Sequence, residues 1–175
     1  MPLPASAFPF FDLASVRVDA RLPLPQLLAS VERQIAAAPV EVAFVFDARG
    51  RELLRRVGLP SEIAFSPAET AHMREAYLTH NHPQQGPLSP ADILFAHRAQ
   101  LTQLRAVAGD AVFVLTRPAA GWNEPAATLL FNREARRIVK RFESDNNLPQ
   151  LRSAFIRLAE KLVKVLHLDF QIEHL

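Results

Sequence analysis

Two histidines one residue apart, His80 and His82, are followed by Pro83 and then by Ser89 and Asp92. The chain has no cysteine, so imidazole nitrogen and carboxylate oxygen are the metal donors left to it. Side chains two apart on an extended segment share a face. His80 and His82 therefore converge if the apolar Tyr77-Leu78-Thr79 run ahead of them is a strand. Asp92 joins them if the Gln84-Gln85-Gly86-Pro87 segment loops back and opens a helix. Two imidazoles and one carboxylate leave one position open on four-coordinate zinc, the ligand count of catalytic rather than structural sites. The chemistry this points to is metal-dependent hydrolysis.

Hydrolysis at such a site also needs a carboxylate that takes a proton from water and delivers it to the leaving group. The upstream glutamates are Glu32, Glu41, Glu52, Glu62, Glu69 and Glu75. Glu41 is the choice, because it opens an apolar run that can pair beside Tyr77-Leu78-Thr79. Glu69 and Glu75 are explained by helix capping and by a solvated helix face. Ser89 is placed to hydrogen-bond a developing oxyanion. Ser89-Pro90-Ala91-Asp92 has a structural explanation as well: serine as N-cap, proline in the first turn and a carboxylate at the third position start a helix. The two readings are compatible, since a capped helix orients Asp92.

The elements that must position these residues are expected as follows. Leu27, Leu28, Val31 and Ile35 fall at helical spacing, with Pro25 at the start and Pro39 beyond the end. Glu41 to Phe46 reads as a buried strand, Asp47-Ala48-Arg49-Gly50 as a turn, and Leu53 to Val57 as the hairpin partner. Ser66-Pro67-Ala68-Glu69 is a capping box that opens a helix ending near Glu75, and Ala76 to Thr79 is a short strand leading to the histidines. A further helix is expected from Pro90 to about Val107, a strand from Ala111 to Thr116 and another from Ala127 to Phe131. Helices over Arg133 to Asn146 and Pro149 to His167, joined at Asn146-Asn147-Leu148-Pro149, complete the chain. This is an α/β chain with a small mixed sheet flanked by helices. It divides into an N-terminal extension and helix (1–39), a core (40–131) and a C-terminal helical pair (132–175), within one globular unit.

Composition narrows the function further. With 175 residues, 49% hydrophobic and 22% charged, the chain suits one domain with a proper core. A net charge of +2 is too small to argue on its own for nucleic-acid binding. Disulfide frameworks, thiolate metal sites and cysteine nucleophiles are excluded. The first residues, with Pro2, Pro4 and Pro9 and no basic start, do not read as a signal peptide, and no apolar run has the length of a bilayer span. The expectation is a cytoplasmic protein without membrane association; the Ala, Arg and Pro content suits a bacterial one. Arg133, Arg136, Arg137, Lys140 and Arg141 form a basic run on one helix, read either as a solvated face or as a contact for phosphates or an acidic protein. His72 and His97 read as surface or satisfied helix residues, and His167 and His174 as structural ones. Trp122 and Asn123 suit either a substrate groove or a packing anchor.

His80-Asn81-His82-Pro83 with Ser89 and Asp92, and a glutamate upstream, resembles the signature of the JAMM/MPN metalloprotease superfamily. The phrase is similar in particular to the RadC branch and to His-Asn-His-Pro domains of phage and mobile-element proteins. The resemblance covers roughly residues 40–131. It implies an MPN-like fold holding zinc, with His80, His82 and Asp92 as ligands, Glu41 as general acid/base and Ser89 as oxyanion donor. The activity it implies is cleavage of peptide or isopeptide bonds, with a ubiquitin-like modifier or peptide tag as the substrate class. Two other readings go with it: a non-catalytic MPN-like interaction module, and a RadC-like protein associated with nucleic acid through the Arg133 to Arg141 face. The oligomeric state is not legible.

Overall fold

The computed structural model describes residues 10–142 and 148–175. Pro2, Pro4, Phe8 and Pro9 of the extension, and the Asn146-Asn147 junction, lie outside the described residues. A 3-10 turn, Leu13–Ser15, precedes helix α1, Leu24–Ile35. The chain then runs through β1 (Val42–Phe46), β2 (Glu52–Val57), α2 (Pro67–His72), β3 (Tyr77–Asn81) and α3 (Pro90–Ala99). It continues through β4 (Gln103–Ala108), β5 (Ala111–Thr116), α4 (Glu124–Phe142), α5 (Leu148–Val165) and β6 (Asp169–His174). The six strands form one mixed sheet in the order β2-β1-β3-β4-β5-β6. Only β3 and β4 run parallel, joined through α3; the other neighbours are antiparallel.

The interior strand β1 is buried along its whole length, because both of its faces are covered. Val42, Phe44 and Phe46 point to one face and pack with Leu27, Leu28, Val31 and Ile35 of α1. Val45 points to the other face, where Leu78, Leu104 and Ala106 meet α3, α4 and α5. The α1 face also holds a buried ion pair. Arg105 of β4 donates through Nε to Glu32 Oε1 at 2.5 Å and through Nη2 to Glu32 Oε2 at 3.1 Å, while Thr79 donates to the same Oε1 at 3.0 Å. Among the described residues, no helix is long and apolar enough to cross a membrane.

Two expected elements differ from those observed, and one observed strand was not expected. The helix from Pro90 stops at Ala99 instead of continuing to Val107, because Gln100 turns left-handed (φ 53°) and Gln103–Ala108 extends as β4. Arg105, which falls inside the expected helix, is a strand residue held by Glu32. The strand expected over Ala127 to Phe131 is the first half of α4. Asn123 Oδ1 accepts from Ala126 N at 3.1 Å and so caps that helix, with Glu124 in its first turn. No strand is expected after His167, yet β6 adds an exposed edge to the sheet. The C-terminal helices pack on each other and on α3.

Candidate metal centre

β3 and its continuation supply the two imidazoles. His80 lies in β3 and His82 directly after it, where His82 N donates to Val107 O at 2.7 Å and so prolongs the pairing with β4. The strand period places both rings on the sheet face that carries Leu78 and turns Asn81 to the opposite face. Asn81 works there as a staple. Its Oδ1 accepts from Val42 N at 2.7 Å, and its Nδ2 donates to Ala38 O and Val40 O, each at 3.1 Å. The residue between these anchors is Glu41. Ala43 pairs with His80 across β1 and β3, so Glu41, two residues earlier, extends from the same face as His80 and His82. The sequence signal for Asn81 is its position between the two histidines, since the alternate residue must face the opposite layer.

The carboxylate comes from the start of α3. Ser89 Oγ accepts from Asp92 N at 3.2 Å and Asp92 Oδ2 accepts from Ser89 N at 2.7 Å, a reciprocal capping box with Pro90 in the first turn. Structural cap and donor thus coexist in one residue. Asp92 Oδ1 lies 3.4 Å from His80 Nε2, Asp92 Oδ2 lies 3.4 Å from His82 Nε2, and the two Nε2 atoms are 2.9 Å apart. Donors on a tetrahedral ion with bonds of ~2.0–2.1 Å are about 3.3 Å from one another; each imidazole has a carboxylate oxygen near that distance, and the two nitrogens lie closer together. One ligand atom from each of His80, His82 and Asp92 lies within 4.8 Å of the others. This triad, with His80 buried and His82 and Asp92 half-buried, can hold a metal ion.

The loop between His82 and Ser89 fixes one tautomer. His82 Nδ1 lies 2.8 Å from Gly86 O, a partner that can only accept, so in the neutral ring Nδ1 carries the proton and the Nε2 lone pair faces the cluster. Gln85 N donates to His82 O at 2.9 Å, and Gln85 takes a left-handed φ of 57°, which brings Gly86 back under the ring. His80 is 2% exposed, and its Nδ1 is buried without a protein partner.

The electrostatics follow from crowding two imidazoles against a carboxylate. Burial works against a charged His82, but Asp92, by hydrogen bond and by charge, outweighs it and raises the pKa to about 9, with Gly86 O and Glu41 adding to the rise. Asp92 is disfavoured as an anion by burial, yet His80 and His82 hold its carboxyl well below the usual range. Glu41 is 9% exposed. Burial raises its pKa, against the pull of His80 and His82 and with a smaller push from Asp92 and Glu62. A carboxyl raised in this way keeps a proton more readily than a free one.

Glu41, His80, His82, Ser89 and Asp92 line one cleft of about 580 Å³. The five residues expected at the site thus share one cleft. The other candidates lie elsewhere. His72 is exposed, with Nδ1 2.7 Å from Ala68 O, and His174 lies on exposed β6. His97 corrects the expectation of a surface or satisfied residue. It is 1% exposed, neither ring nitrogen has a hydrogen-bond partner, and its ring lies 4.6 Å from that of Trp122. Burial lowers its pKa; the Asn123 backbone and Glu124 oppose this, though Asn123 makes no well-formed hydrogen bond to it. Trp122 donates to Leu101 O at 2.6 Å and is a packing anchor. On α4, Arg133 and Arg137 both bond Glu134, which Lys161 of α5 also reaches, so part of the basic run is spent within the helical pair.

Compared with known proteins, the chain matches no family model, no curated protein and no solved structure. What the site does must be argued from its own geometry.

Proposed function

We propose that the protein is a zinc-dependent hydrolase of peptide or isopeptide bonds, with an MPN-like domain of JAMM type. The observation that carries this reading is the convergence of His80, His82 and Asp92, with spacings of 2.9 to 3.4 Å, in a cleft that Glu41 also lines. Two nitrogens and one oxygen suit zinc and leave room for a further ligand. Zinc held there supplies a Lewis acid that lowers the pKa of a water to about 7.

The chain's own residues do the rest. Glu41, buried and raised in pKa, takes a proton from the attacking water and returns it to the leaving nitrogen. Ser89 Oγ accepts from Asp92 N, which leaves its own proton to donate to the developing oxyanion. Gly86 O holds His82, and Asn81 holds the backbone on both sides of Glu41, so the machinery is ordered before substrate arrives. A ubiquitin-like modifier or a peptide tag as substrate comes with the resemblance of the motif.

The test is hydrolysis of fluorogenic peptide and isopeptide reporters by zinc-supplied protein, with Glu41→Gln as the comparison. Expected is a loss of roughly 10²–10⁴-fold in kcat with zinc content unchanged. Full activity in Glu41→Gln would remove Glu41 from its role. No hydrolysis of any reporter by protein that holds zinc would favour a binding module.

A further inference from the structure

The sheet face that carries the donors continues from His80 to Leu78, which pairs across to Leu104 of β4. Both leucines are buried, and both line the cleft that holds the metal centre. The walls above them are aromatic: Phe65 from the segment before α2, Phe95 from α3, Phe131 from α4 and Phe155 from α5. Phe65 and Phe95 stack with centroids 5.3 Å apart. All four rings keep part of their surface open. Four partly open rings from four separate segments around one void are a poor core and a good receptor, because each still has apolar area to bury. The nearby cations are engaged at the rim, Arg98 with Glu124 at 3.5 Å and Arg152 with Gln84 O at 3.0 Å. The cleft, about 580 Å³, is of the size that takes a small ligand or a few residues of peptide.

We propose that this part of the cleft is a specificity subsite for a bulky apolar side chain, aromatic or long aliphatic, next to the amide presented to His80, His82 and Asp92. The reaction it serves rests on the hydrolase reading; the binding preference does not. The occupant follows from continuity, since the apolar walls and the donor cluster line one cleft. Filling the subsite removes apolar surface from water on both sides, which favours Phe or Leu over Gly by roughly tenfold to a hundredfold. A charged side chain there loses its hydration against rings that offer no partner. Phe131 and Phe155 thereby give the C-terminal helical pair a task at the site: it forms the wall that selects.

The test uses acetylated, amidated tetrapeptides Ala-Xaa-Ala-Ala with Phe, Leu, Gly or Asp as Xaa. They are titrated by calorimetry into the metal-free full chain, and again into zinc-supplied Glu41→Gln protein so that nothing is cleaved. Expected are Phe and Leu binding at least tenfold tighter than Gly and Asp. Phe155→Ala should bring that ratio below about threefold. Ile63→Asp, which adds a charge to the wall from a residue outside the helices, should do the same and decides if Phe155→Ala does not fold. Leu129→Ala, on the solvent side of α4 at 72% exposure, should leave the ratio unchanged. A wild-type ratio below threefold, no binding of any peptide, or an unchanged ratio in folded Phe155→Ala and Ile63→Asp proteins overturns the subsite. Apolar preference in a protein that cleaves nothing leaves the subsite standing and the hydrolase reading refuted. Cleavage without that preference does the reverse.

Discussion

Protons and metal must compete for the same nitrogen of His82. In the metal-free protein Asp92 raises the His82 pKa to about 9, whereas a metal needs its Nε2 unprotonated. Below that pKa, each unit of pH costs one proton's displacement, about 1.4 kcal/mol or tenfold in affinity. Between pH 8 and pH 6, zinc affinity should therefore fall about 100-fold through His82 alone. The sign for stability is opposite. The folded pKa lies above the ordinary 6.5, so the charged His82–Asp92 pair stabilises the metal-free fold fully below pH 6.5 and is lost as pH rises through about 9. Over that window the loss is about 3 kcal/mol, or roughly 6–12 °C in Tm for a chain of this length. Competition with a fluorescent chelator at pH 6, 7 and 8 gives the first quantity. Thermal melts of chelator-treated protein from pH 6 to 9 give the second. A zinc affinity that changes less than threefold between pH 6 and 8 would refute the shared-nitrogen argument.

The ion pair on the α1 face and the buried imidazole near α4 give two further tests. Arg105→Ala strips the charged partner from Glu32, which is 1% exposed and keeps only the Thr79 hydroxyl of the bonds described above. It should cost about 3–5 kcal/mol, read as a Tm drop of roughly 6–20 °C, whereas Arg105→Met with Glu32→Met should regain most of it. A single-variant cost under 1 kcal/mol would mean that Glu32 finds another partner. His97→Phe replaces a ring with two unpartnered nitrogens beside Trp122, so it should be neutral or stabilising by up to about 2 kcal/mol. Destabilisation beyond about 2 kcal/mol in urea melts would show that a nitrogen of His97 is satisfied after all.

The donor cluster was legible because its parts are local. A strand period brings His80 and His82 together, and a capping box fixes Asp92, so few long-range facts are needed. Glu41 was legible for a related reason, since an apolar run that begins with it pairs in the register that returns it to the histidines. The misread stretches are those where tertiary contacts override the local pattern. Leu101 and Leu104 fall at helical spacing from Ile93 and Leu94, and neither Gly nor Pro marks the break at Gln100. Arg105 falls inside the expected helix, and its partner Glu32 lies 73 residues away in sequence. Ala127 to Phe131 is apolar enough for a strand, but Asn123, Glu124 and Pro125 carry the helix-start signal that outweighs it. β6 has too little apolar content to stand out, because one of its edges and much of its surface face solvent. The cleft's aromatic walls were not legible, since Phe65, Phe95, Phe131 and Phe155 are brought together only by the packing of α3, α4 and α5 over the sheet.

The most direct measurement is zinc content by elemental mass spectrometry, on the full chain purified after zinc supply and on a His80→Ala/His82→Ala variant handled in parallel. One zinc per chain in the wild type, lost in a variant that keeps the far-ultraviolet dichroism of the wild type, is the predicted result. A folded wild-type protein that remains free of metal after zinc is supplied would contradict the metal centre, and the hydrolase built on it.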